Sequence, residues 1–134
     1  MGSESLDPGT IATASALLHS AEAVEAAYLL GSAATGRLRR DSDVDIAVLP
    51  RHGGHLSLAD RLALASSLAV VFGRPVDVGV LSTTNIVYAK EAVATGKIIF
   101  ERDRLATGRF AMLTLSMYAA LQEARREVLR AYAA

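Results

Sequence analysis

The sequence predicts an α/β (α+β) domain in which helices cover a small mixed β-sheet. Two observations carry this prediction. Four runs of strand length, at 26–30, 43–49, 76–81 and 97–100, are separated or flanked by longer runs whose apolar residues recur every three or four positions. Breaks rich in glycine and proline separate several of these runs, at Pro50, Gly53, Gly54, Gly73 and Gly96. The 134 residues, 51% of them hydrophobic, are sized for one domain with a substantial core.

After Asp7-Pro8-Gly9, residues 10–25 are rich in alanine and leucine. Ile11, Ala14, Leu18 and Ala21 share one helical face, so a first helix is expected there. Residues 26–30 read as the first strand and 43–49 as the second, and Pro50, Arg51, His52, Gly53 and Gly54 form the loop that follows. Ser57 suits the N-cap of a second long helix ending near Phe72, with Leu58, Leu62, Ala65 and Leu68 or Ala69 inward and Gly73 as its stop. In 76–81, alternation puts Asp77 and Gly79 on one side and Val76, Val78 and Val80 on the other. Thr83 or Thr84 is the expected cap of a short helix through Ala94, closed by Gly96 in the C-terminal glycine position, and 97–100 form the fourth strand. A last helix is expected from about Leu105, with Phe110, Leu113 or Thr114, Met117, Leu121, Ala124 and Val128 along its apolar stripe.

Several function classes recede at this stage. Lysine plus arginine balance aspartate plus glutamate at 14 each, so direct nucleic-acid binding through a generic basic surface is not expected. There are no cysteines, hence no disulfide framework and no thiolate metal site. No stretch has the length and apolarity of a membrane span, and MGSESLDPGT lacks a signal-peptide pattern, so a cytoplasmic protein is expected. His19, His52 and His55 lack a zinc-type spacing, and Tyr28, Tyr88, Tyr118 and Tyr132 read as packing residues rather than nucleophiles.

The chemistry concentrates in residues 28–49, YLLGSAATGRLRRDSDVDIAVL. On a strand of period two, Asp43, Asp45 and Ala47 share one face and Val44, Ile46 and Val48 the other. Neighbouring carboxylates on a half-buried face repel each other unless a cation sits between them, and oxygen-only donors suit a hard ion such as magnesium. Gly31 allows close backbone approach, and Ser32 suits the cap of a short helix whose free N–H groups face an anion. A Gly-Ser pair followed at this fixed gap by Asp-x-Asp arises by chance in a chain this long on the order of once in a thousand. The combination is therefore a signal where neither half is.

Gly31-Ser32, the ten residues Ala33 to Ser42, and Asp43-Val44-Asp45 have the form GSx10DxD. This arrangement resembles the nucleotidyltransferase signature of the DNA polymerase beta superfamily. The resemblance implies a polymerase-beta-like nucleotidyltransferase fold; a single domain is expected over 1–134, with 1–6 flexible and 105–134 as the C-terminal helix. It also implies a third carboxylate on a later strand, where this chain offers Asp77. The small size and the tail GKIIFERDRLATGRFAMLTLSMYAALQEARRE look most like the minimal nucleotidyltransferases, the MntA-type antitoxins paired with HEPN-domain toxins.

That likeness implies an antitoxin that transfers AMP from ATP to a tyrosine of a HEPN ribonuclease toxin, with two Mg2+ ions, in a hetero-oligomer with the toxin. Asp43, Asp45 and Asp77 are then the catalytic and metal-binding residues. Gly31, Ser32, Gly36, Arg37, Arg39, Arg40 and Ser42 are the implied nucleotide contacts. One departure stands out: where many relatives read GSxARG, this chain has Thr35 in the arginine's place. Arg37, Arg39 and Arg40 follow, and either they meet the triphosphate or they form a solvated surface. Two rival functions remain. One is a small-molecule nucleotidyltransferase of the aminoglycoside type, for which the chain has little length left to bind the drug. The other is an antitoxin that acts by occlusion with its carboxylates idle.

Overall fold

The computed structural model describes residues 6–39 and 41–133. Of the six residues expected to be flexible, 1–5 lie outside the described residues and Leu6 packs against the core. The elements are α1 (Pro8–Ser20), β1 (Val24–Leu30), α2 (Gly31–Ala34), β2 (Val44–Pro50), α3 (Leu58–Phe72), β3 (Val76–Val80), α4 (Ile86–Thr95), β4 (Lys97–Glu101) and α5 (Arg104–Ala133). Strand order is β3-β2-β1-β4; β1 runs antiparallel to both β2 and β4, while β2 and β3 are parallel. The mixed sheet with helices matches the predicted class.

Alternation along each strand feeds two cores. Val44, Ile46 and Val48 of β2 join Leu29 of β1 with Ala14 and Leu18 of α1 and Leu64, Leu68 and Phe72 of α3. Ala47 and Leu49 face the other way, onto Ala26, Tyr28, Leu30, Ala89 and Ala92. Leu18, Leu29, Ile46 and Leu68 are fully buried, and each such side chain contributes about 1.5–3 kcal/mol relative to exposure. The face of β2 assigned to carboxylates is thus polar only at its start. Beyond Asp45 it too is apolar and covered.

Three local expectations are corrected. The first helix stops at Ser20 rather than Glu25, because Ala21 is extended and Val24 pairs with Pro50, so sheet pairing overrides the helix propensity of an alanine-rich run. In α3 the inner face is Leu64, Leu68 and Phe72, whereas Leu58 and Leu62 are 66% and 60% exposed. Apolar residues surround that helix, so periodicity alone left its rotation undetermined, although Ser57 does cap it and Gly73 does end it in a left-handed conformation. The cap of α4 is Asn85, which accepts from the Tyr88 N–H; Thr84 is taken up in a turn with Ser82. Gly96 does close α4 as expected, in an extended conformation, and a side chain there would collide with the Ala92 carbonyl oxygen.

The last correction concerns α5. Its buried residues are Thr107 and Thr114, and Phe110 packs against the second core, but Leu113, Met117 and Val128 of the expected stripe are exposed. Tyr132, read as a packing residue, is 87% exposed. The helix packs chiefly against α4, and every described residue after Gln122 is exposed. Among the described residues no helix is long and apolar enough to cross a membrane.

Candidate active site

Strand pairing assembles the carboxylates. Asp45 of β2 lies opposite Leu30 of antiparallel β1 and beside Asp77 of parallel β3, so one row across three strands ends in two aspartates and the start of α2. Adjacent strands lie about 4.8 Å apart, which makes register partners on one face close neighbours. Asp43 was expected within the second strand, but β2 begins at Val44 and Asp43 sits one residue outside it, exposed. The strand begins there because Val44 donates its N–H to the Pro75 carbonyl at 2.9 Å.

The electrostatics follow from this geometry. Although the Asp45 side chain reaches solvent, partial desolvation at its place between strands, then the charge of Asp77, then that of Asp43 push its carboxyl above the usual aspartate range. An acid whose pKa is raised on folding binds more protons folded than unfolded between the two values. Its stability contribution is therefore present at low pH and is lost as pH rises through the raised pKa. We expect Asp45→Asn to flatten this part of the profile, leaving the metal-free variant more stable than wild type at neutral pH but not at pH 3. Urea denaturation at the two pH values checks this, and equal differences at both would refute the repulsion.

The phosphate-side turn forms as the sequence suggests, with one revision. Gly31 has φ 59°, a left-handed conformation that a side chain would strain, and a Cβ there would stand 3.9 Å from Asp45 Oδ2. The revision concerns Ser32. It is the second residue of α2 rather than its cap; Leu30 holds the cap position without a side-chain hydrogen bond. The Ser32 carbonyl accepts from the Arg37 N–H at 2.9 Å, and its hydroxyl has no hydrogen-bond partner among the described residues.

The loop from Gly36 to Ser42 is held by main-chain and serine contacts. Gly36 is left-handed at φ 71°, and Leu38 is fully buried as an anchor. The Arg39 N–H donates to Ser42 Oγ at 3.1 Å, so Ser42 closes a turn. Arg37 and Arg39 are exposed, and Arg40 lies outside the described residues. A residue the sequence reading passed over fixes this turn: Arg74 donates to the carbonyls of Arg39 at 2.7 Å and Ser42 at 3.3 Å. Its place between Gly73 and Pro75, just before the strand carrying Asp77, was the available signal.

Over Asp45 and Asp77 a cleft of about 430 Å3 reaches from Leu30 of β1 to Arg61, Gly79, Asn85 and Tyr88. Arg61 reaches over from α3 to donate through Nε and Nη2 to the Val78 carbonyl, at 3.3 and 3.0 Å. The Tyr88 hydroxyl lies over Gly79, where any Cβ would collide with it. Burial and the charges of Asp45 and Asp77 raise the Tyr88 pKa, and Arg61 pulls it the other way. Nothing in the sequence spacing linked residues 61, 79 and 88. Among the described residues no three acidic or histidine side chains converge into a ready-made metal cage.

The chain is similar to known proteins in both sequence and fold. The chain is 35% identical over 105 residues to the protein adenylyltransferase MntA of Shewanella oneidensis, covering 76% of this chain and 71% of that protein. A solved toxin–antitoxin structure with AMP-PNP superposes with a TM-score of 0.73 at 31% identity, covering 96% of this chain and 100% of the other. The structure of a tri-AMPylated Shewanella oneidensis HEPN toxin in complex with an MNT antitoxin matches at 28% identity and a TM-score of 0.71, covering 93% and 97%. The model of the family described as polymerase beta, nucleotidyltransferase matches residues 13–105, a span that holds the Gly31-Ser32 turn and all three aspartates. On that match, which takes in every strand of the sheet, the chain belongs to the polymerase beta nucleotidyltransferase family.

Proposed function

We propose that this chain is a magnesium-dependent protein adenylyltransferase and antitoxin, moving AMP from ATP onto a tyrosine of a HEPN-domain toxin. The supporting observation is the register that sets Asp45 beside Asp77 at the end of β1 where Gly31-Ser32 begins. The similar proteins support the same reading: MntA is a protein adenylyltransferase, and one related complex contains an AMPylated HEPN toxin. The exposed apolar residues of α5, among them Met112, Leu115 and Leu129, offer a face for docking that toxin.

The donor set fits magnesium. Aspartate oxygens are hard ligands, and magnesium is commonly held by one or two carboxylates together with substrate phosphates rather than by an all-protein cage. Asp43, Asp45 and Asp77, which form no closed cage by themselves, would hold it together with the substrate phosphates, and the bound ion would stabilise charge on the transferring phosphoryl group. The Gly31 and Ser32 N–H groups and the Ser32 hydroxyl grip the triphosphate. The acceptor oxygen forms a bond to the α-phosphorus, the bond from that phosphorus to the α–β bridging oxygen breaks, and pyrophosphate departs. The acceptor proton passes to Asp77. An anionic AMP group beside an RNA-cleaving centre then repels the RNA phosphate.

The test is label transfer from α-labelled ATP to a coexpressed HEPN-domain partner, expected with magnesium and lost with EDTA. A stable complex that never acquires label would favour occlusion. The loop arginines permit a separate measurement. Replacing Arg37, Arg39 and Arg40 together with alanine is expected to weaken ATP binding about tenfold, with the gap narrowing as salt is raised. Unchanged affinity by calorimetry would return them to the solvated surface.

A further inference from the structure

We propose that the cleft between β3 and the start of α4 is the acceptor site, and that Arg61 and Tyr88 position the incoming tyrosine there. This rests on the adenylyltransferase reading. In-line displacement requires the attacking oxygen and the leaving pyrophosphate to lie on opposite sides of the α-phosphorus. The cleft runs across the row from Leu30, which directly precedes the Gly31-Ser32 turn at the end of β1, past Asp45 of β2 to Asp77 and Gly79 of the edge strand β3. An acceptor entering at the β3 and α4 end of this cleft therefore reaches the aspartates from the edge strand, with the phosphate turn at the opposite, β1 end.

The walls suit a phenol on a peptide. Leu30 and the Tyr88 ring are apolar surfaces for an aromatic side chain, and Asp45 and Asp77 stand where its hydroxyl would give up a proton. The Asn85 side-chain oxygen is committed to the Tyr88 N–H, which leaves its amide N–H groups to donate. Arg61 is fixed by two of its five N–H donors on Val78, and the others have no partner among the described residues. A guanidinium secured this way is preorganised to bind the carbonyls of an acceptor segment. Covering the edge-strand Val78 carbonyl accounts for two of its donors and not for those left over. Gly79 completes the device, since the Tyr88 hydroxyl can lie on β3 only where no side chain intervenes.

The experiment is single-turnover AMP transfer within the preformed complex of this chain and its coexpressed HEPN-domain partner. ATP affinity and thermal stability are measured on the same variants. Tyr88→Ala is expected to slow transfer at least tenfold, with ATP affinity and partner binding unchanged. Arg61→Gln keeps a donor for the Val78 carbonyl and should stay folded, yet slow transfer comparably; Arg61→Lys should recover part of the rate. If both Tyr88→Ala and Arg61→Gln transfer at the wild-type rate, the assignment is wrong. A fall in ATP affinity matching the fall in rate would equally overturn it, by making the cleft part of the nucleotide site. Failure of wild-type protein to modify its partner would instead refute the adenylyltransferase reading.

Discussion

Asp45→Asn is expected to reduce nucleotide transfer by about a thousandfold, the scale seen when a group acting on transition-state charge is removed, while the protein stays folded. Asp45 is exposed although it sits between buried Val44 and buried Ile46, so replacing it leaves the core untouched. It is also the aspartate that neighbours both others, since the charges of Asp77 and Asp43 bear on it directly. The asparagine removes that repulsion and with it the charge that would hold magnesium. Intact-mass measurement of the partner after reaction with ATP reads the activity, and circular dichroism reads the fold. Full transfer by the Asp43→Asn, Asp45→Asn double variant with magnesium present would refute the site.

Asp77→Asn is expected to produce a protein that binds its toxin without neutralising it. Asp77 lies on the edge strand β3, and its side chain is exposed at the carboxylate end of the sheet. The exposed apolar residues of α5 belong to a different element and should dock the partner unchanged. Coexpression with the toxin tests both halves: growth should fail, the complex should still copurify, and the toxin should keep its unmodified mass. Restored growth with an unmodified toxin would show that occlusion suffices. The enzymatic account of neutralisation would then have to be abandoned even though the family membership stands.

Sequence alone determined the class of the fold and the residues most worth testing. The alternation that sends Val44, Ile46 and Val48 to one core and Ala47 and Leu49 to the other follows from the strand period, and the Gly31-Ser32 to Asp45 spacing is covalent and local. Caps such as Ser57 were legible for the same reason, because their partners lie three residues away. What the tertiary structure decided depends on contacts distant in sequence. Which face of α3 turns inward depends on where the sheet lies, since apolar residues surround that helix. Where α5 becomes exposed depends on where its main neighbour, α4, stops covering it. The pairing of Asp45 with Asp77 needed the parallel register of β2 and β3, and the cleft needed an arginine from α3, a glycine from β3 and a tyrosine from α4. Local periodicity specifies which residues can form an element; only packing of elements against one another specifies which side chains from different elements meet.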